Sequence, residues 1–122
     1  MSGIAAAYVF PHPPLVIPGV GKGSEKGAQK TIDAMEKAAE SIKNDNPDTI
    51  IITTPHGPVF QDFIYVNTSK KLAGDFRRFG DRNTKLEFEN NLDLVQIIID
   101  YAQKEGILAG GLEDSIARKY HV

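Results

Sequence analysis

An α/β fold built from βαβ units, with a largely parallel or mixed sheet flanked by helices, is predicted by three features of the sequence. Residues 4–10 form a short apolar run that ends in Tyr8, Val9 and Phe10 and is stopped by Pro11. Residues 28–42 carry apolar side chains at intervals of three and four, with charged ones between them. Residues 48–54 hold Ile50, Ile51 and Ile52 in a row. Strand, amphipathic helix and buried strand in that order make a βαβ unit, whose strands run parallel and whose crossover is right-handed.

The elements follow in order. The run 4–10 is alanine-rich, but its aromatic and β-branched end and the proline after it favour a short buried strand. Residues 11–23 are rich in proline and glycine and read as a loop. Ser24 is the expected N-cap of the helix in which Ala28, Ile32, Met35, Ala39 and Ile42 share one face, while Lys30, Asp33, Lys37 and Lys43 fall outside it. Asn44 to Pro47 ends that helix. The three consecutive isoleucines suggest a strand covered on both faces, as in a parallel sheet. Residues 63–67 are a third expected strand after a turn through Gln61 and Asp62, and residues 71–79 another short extended piece. Asn90 or Asn91 caps a second helix with Leu94, Ile97, Ile98, Tyr101 and Ala102 on one face and Gly106 near its end. Residues 109–111 read as a glycine-bearing loop, and residues 112–119 as a last short helical pattern.

Composition bounds the function. A chain of 122 residues holds one domain at most, with a modest core. Hydrophobic residues at 41% and charged residues at 25% match an ordinary soluble globular chain. A formal net charge of −2 gives no electrostatic reason to expect nucleic acid or an anionic membrane as partner. The absence of cysteine removes disulfides, thiolate catalysis and cysteine-ligated metal, and suits a reducing cytoplasm. The run 4–10 is too short to span a membrane and has no basic segment before it, so no signal peptide or membrane span is expected.

The chemistry concentrates at two histidines. Of the three in the chain, His12 lies in "YVFPHPPLV" and His56 in "TTPHGPVF", so the frame Pro-His-x-Pro-apolar occurs twice. Each follows the C-terminal end of an expected strand. Parallel strands bring those ends to one edge of a sheet, where open α/β sheets place their ligands, so the two imidazoles are expected to converge. Proline restricts its own φ and extends the residue before it, which stiffens His12 between Pro11 and Pro13 and His56 after Pro55. Gly57 can take a positive φ and admit a close approach. Metal ligands need such preorganisation, and neutral imidazole suits iron, zinc, copper or nickel. One such histidine would read as a loop residue beside turn-forming prolines; two at equivalent strand ends read better as a shared metal site.

Other motifs carry less. "GVGKGS" at residues 19–24 fails the P-loop pattern, which needs a glycine where Val16 stands and a hydroxyl residue where Gly23 follows Lys22. It reads as a flexible entry to the helix. The basic stretch with Lys70, Lys71, Arg77, Arg78, Arg82 and Lys85 reads as a solvated face rather than a nucleic-acid site. Glu87, Glu89 and Asp93 favour the N-terminus of the following helix through its dipole. His121, one residue from the end, is given no role.

The stretches "YVFPHPPLVIPGVG" and "TTPHGPVF", with the later "AGDFRRFG" and "LEFENNLDL", resemble the N-terminal half of the class III extradiol ring-cleavage dioxygenase family, the LigB type. The likeness is closest to its AmmeMemoRadiSam branch, whose fold the Memo proteins share. The resemblance implies a single partial domain over residues 1–122, a three-layer fold, and a mononuclear non-haem Fe(II) held by two histidines and a glutamate, the histidines matching His12 and His56. Zn(II) or another divalent metal is the alternative ion, and a small aromatic diol the implied substrate. The implied glutamate and acid–base histidine lie further along a chain about twice this length, so no catalytic residue is assigned here and the segment by itself is expected to be inactive. A non-catalytic Memo-like protein that binds a metal, a ligand or a partner is the alternative on the same fold. Self-association into a homo-oligomer is left open.

Overall fold

A computed structural model describes residues 3–112. The last expected helical pattern falls, beyond Leu112, outside the described residues, as does His121.

The α/β class holds, with helices accompanied by a parallel strand pair and a hairpin. The proline-rich segment after His12 forms two tight turns in place of the expected loop: a 3-10 turn at Pro14–Val16, and α1 at Pro18–Gly21, each opening on proline, whose fixed φ suits a first helical position. A second 3-10 turn, Ser24–Ala28, leads into α2 at Gln29–Asp45. Ser24 therefore starts this 3-10 turn and does not cap α2, whose N-cap position is Ala28 with no side-chain cap. The helix ends as expected, on Asn46 in the left-handed conformation, with Pro47 after it. Its inner face holds Ala28, Thr31, Ile32, Met35, Ala38 and Ile42, so Ala38 takes the place expected for Ala39.

The strands differ more. Residues 4–10 and 48–54 lie outside every hydrogen-bonded ladder of the described residues. Val9 is 100% exposed and Ile52 77% exposed, so the isoleucine run is uncovered rather than buried on both sides. A β-branched run supplies the side chains of a strand, but ladder bonds require a neighbouring strand in register, which no local signal can guarantee.

Parallel pairing occurs elsewhere. β1, Ile64–Tyr65, pairs with β4, Ala109–Gly110, in the register Ile64 to Ala109 and Tyr65 to Gly110. The Ile64 amide donates to the Leu108 carbonyl and the Val66 amide to that of Gly110, each at 2.9 Å. The expected glycine loop at 109–111 is thus a strand and its exit, where small residues let the backbone close on Thr68: a Cβ on Gly111 would lie 2.6 Å from the Thr68 hydroxyl.

Between these strands run β2, Lys71–Phe76, and β3, Asp81–Glu89. They pair with each other through a connection at Arg77–Phe79 and Gly80, too short for a parallel crossover, so they form a hairpin. Gly80 turns the chain with φ +88°. α3, Leu92–Lys104, is capped by Asn91, whose side chain accepts the Leu94 amide at 3.1 Å. Asn90 serves a different end, donating to the Asn67 and Ser69 carbonyls at 2.7 and 2.9 Å. The inner face of α3 is Leu94, Val95, Ile98, Ile99 and Ala102, while Ile97 is 63% exposed and Tyr101 also faces outward.

The described residues divide into two compact units, residues 3–50 with 73–86, and residues 51–72 with 87–112. In the second, Phe63, Ile99 and Ala109 are buried, and the Phe60 ring meets Phe63 edge-on with centroids 5.5 Å apart. In the first, Asp81 is the buried side chain that stands out, at 5% exposure.

Candidate metal centre

His12 belongs to the first unit and His56 to the second. His12 leaves the extended segment 4–10 directly after Pro11, and its side chain reaches solvent. Pro13 is extended, with φ −71° and ψ 129°, and its carbonyl accepts the Val16 amide at 3.2 Å. The backbone that follows His12 is therefore tied into a closed turn within four residues. Beside it, Val9, Phe10 and Pro11 face Lys30, Met35 and Ala38 of α2 across a groove of about 340 Å³. Its walls are mostly apolar, with Lys30 and Thr31 as the polar residues among them. Below the groove the Tyr8 hydroxyl donates to Asp45 at 3.3 Å. Partial desolvation, and then the Asp45 carboxylate, hold that phenol above its usual range.

His56 sits in a turn at the end of the isoleucine run, and its amide donates to the Thr54 hydroxyl at 3.3 Å. Thr54 thus fixes the backbone just before the imidazole, as threonine does in short side-chain turns. Gly57, which can take a positive φ, does not do so here. A Cβ there would stand 3.9 Å from the Tyr65 ring, an ordinary contact, so the position tolerates alanine.

Both frames supply imidazole nitrogens, the donor type that suits a divalent transition metal. Among the described residues no group of three or more His, Asp or Glu side chains lies close enough to hold an ion. Each histidine thus offers imidazole nitrogens beside a hydrogen-bonded turn of its own unit.

Within the remaining charged motifs two ion pairs form. Lys71 pairs with Glu87 at 3.0 Å, and Arg77 with Asp75 at 2.7 Å. The Arg77 amide, ahead of its guanidinium, holds the Asp75 carboxyl below its usual range. Asp93 stands in the first turn of α3, as the dipole favours, while Glu87 answers Lys71 instead. The glycine segment 19–24 meets two carboxylates, since Glu25 accepts the Gly23 amide at 2.7 Å and Asp81 lies against Gly19. Asp81 was not foreseen as important. An aspartate opening a strand carries no mark in sequence that it is buried. Among the described residues no helix is long and apolar enough to cross a membrane.

The sequence matches the LigB family, described as the catalytic LigB subunit of aromatic ring-opening dioxygenase, over residues 6–114. Both histidine frames fall within that match. The chain is similar to Protein CA_C1420 of Clostridium acetobutylicum, 38% identical over 114 residues, which cover 93% of this chain and 24% of the relative. The chain thus spans about a quarter of the length of the curated relative it matches. No solved structure matches it significantly.

Proposed function

The chain belongs to the LigB family of aromatic ring-opening dioxygenase catalytic subunits, and on that premise we propose that His12 and His56 are two ligands of a divalent metal, Fe(II) first, in an extradiol-type ring-cleaving oxygenase. The repeated Pro-His-x-Pro-apolar frame carries the reading, because both copies lie inside the family match and both place the histidine at a hydrogen-bonded turn, His56 within it and His12 directly before it. The activity belongs to a protein that also supplies a carboxylate ligand and an acid–base group, roles for which the described residues show no complete set. When bound, the metal would bring a diol and dioxygen together and favour the ionised diol.

The chain's own residues contribute in three ways. Pro11, Pro13 and the Val16 amide limit where the His12 ring can point, and the Thr54 hydroxyl does so for His56. Phe10, Met35 and Ala38 offer an apolar wall beside the His12 frame, suited to an aromatic ring and hostile to water. Lys30 is the one cationic residue lining that groove, a fit for a substrate that carries an anionic group. A cysteine-free chain that works with Fe(II) suits a reducing compartment, the cytoplasm.

The test is anaerobic titration of the protein with Fe(II), beside His12→Ala and His56→Ala. Losing a group that merely orients a ligand costs about 10–100-fold in metal affinity, so each substitution is expected to weaken binding at least that much. Wild-type binding that neither substitution touches would sink the ligand assignment. Binding that depends on both histidines, in a full-length protein that cleaves no diol, would favour the non-catalytic Memo-like alternative.

A further inference from the structure

Asp81 is the one buried charged side chain among the described residues, and its Oδ2 has no hydrogen-bond partner there. A buried carboxylate oxygen left unpaired is costly, and folds keep such atoms where another requirement holds them in place. The other oxygen is committed locally: Oδ1 accepts the Asn83 amide at 2.9 Å and the Thr84 amide at 3.2 Å, which fixes the carboxylate plane at the start of β3. The free oxygen then points at Gly19 of α1. A Cβ on Gly19 would overlap the whole carboxylate, although the Gly19 backbone does not need glycine's conformational freedom. Glycine is there for space.

From Gly19 the contact continues toward His12 without a loose joint. A Cβ on Gly21 would meet the Leu15 carbonyl at 2.5 Å, so α1 rests directly on the Pro14–Val16 turn. The Val20 and Gly21 amides donate to the Ile17 carbonyl at 2.9 and 2.8 Å. The Ile17 and Val16 amides donate to the Pro14 and Pro13 carbonyls at 3.1 and 3.2 Å. Two prolines with restricted φ then lead back to His12.

We propose that Asp81 is a positioning residue for the His12 frame: its carboxylate, seated against Gly19, fixes α1, and through α1 the turn that directly follows His12. The functional weight of this rests on the reading of His12 as a metal ligand, whereas the mechanical claim does not. The test is amide hydrogen exchange of the whole chain in Gly19→Ala and Asp81→Ala, with Gly27→Ala as control because a Cβ there meets nothing within 4 Å. Gly19→Ala keeps the Asp81 carboxylate but forces it off its seat against α1, whereas Asp81→Ala removes it.

The expected result is faster exchange at Val16, Ile17, Val20, Gly21 and Lys22 in both variants, by roughly tenfold or more, as for a segment moved to the low-stability end of the molecule. Gly27→Ala should match the wild type. Unchanged exchange at these amides in Gly19→Ala would overturn the proposal and leave Asp81 a local turn former. If Asp81→Ala fails to fold, Gly19→Ala decides alone. Fe(II) affinity measured on the same samples separates the two readings: faster exchange with the wild type's metal affinity retained keeps the positioning device and removes its weight for metal binding, and faster exchange with weakened binding supports both.

Discussion

Asp81 couples the fold to pH as well as to the His12 frame. The Thr84 side chain and the Asn83 amide stabilise its ionised form, burial opposes them, and Lys22 adds to the stabilisation, so its carboxyl ionises below the usual range. A carboxyl whose folded pKa lies below its unfolded value, about 3.9, adds stability that is complete above that value and is lost as pH falls through the folded pKa. Asp81→Asn should therefore lower stability near neutral pH and flatten its decline below about pH 4. Asp75, whose carboxyl is also held low by Arg77, keeps part of the slope. Urea unfolding between neutral and acid pH reads this out, and a wild-type slope in the variant would deny Asp81 its ionised buried state. The histidine frames were legible in sequence because proline acts on its immediate neighbours. Asp81 was not, because Gly19, which lies against its carboxylate, is far away along the chain.

At the level of elements, what sequence reveals depends on whether an element carries its own hydrogen bonds. α2 was read nearly to its ends, since its spacing and its Asn46 to Pro47 stop are local. In α3 the burial stripe lies one residue over, on Val95 and Ile99, because a helix rich in isoleucine offers more than one apolar face and the strand it packs on selects among them. β3 was missed although Lys85 to Glu89 alternate in the strand manner, since its charges pointed to a solvated face. The runs 4–10 and 48–54 show the reverse error, strand composition without a ladder among the described residues. The cap of α3 gives a direct test. Asn91→Ala removes the acceptor for the Leu94 amide and should cost about 1 kcal/mol, as N-cap deletions do. Denaturant unfolding with unchanged m would register it, whereas no loss would mean that α3 is held by its packing on β4 alone.

For the whole molecule, the unsettled quantity is where its exposed apolar surface goes. Ile4, Val9, Ile50, Ile51, Ile52 and Val59 all stand largely in water. Apolar area left in water forgoes about 25 cal/mol per Å², and an extended β-branched run also presents backbone donors and acceptors that another strand can pair. In a protein of the relative's length, further chain is at hand to meet such runs; in a solution of the 122-residue chain the ready partner is a second copy. The chain is therefore expected to associate reversibly as its concentration rises, through strand pairing that involves residues 50–52. Ile52→Lys places a charge on an edge that pairing would bury, a device natural sheets use against edge-to-edge contact. Sedimentation velocity across a concentration series should show larger species in the wild type and a shift toward monomer in Ile52→Lys, with far-UV dichroism unchanged. A wild type that stays monomeric at every concentration would mean that these runs do not act as open edges. A variant that associates as strongly as the wild type would move the contact to Ile4 and Val9, where the same substitution can be made.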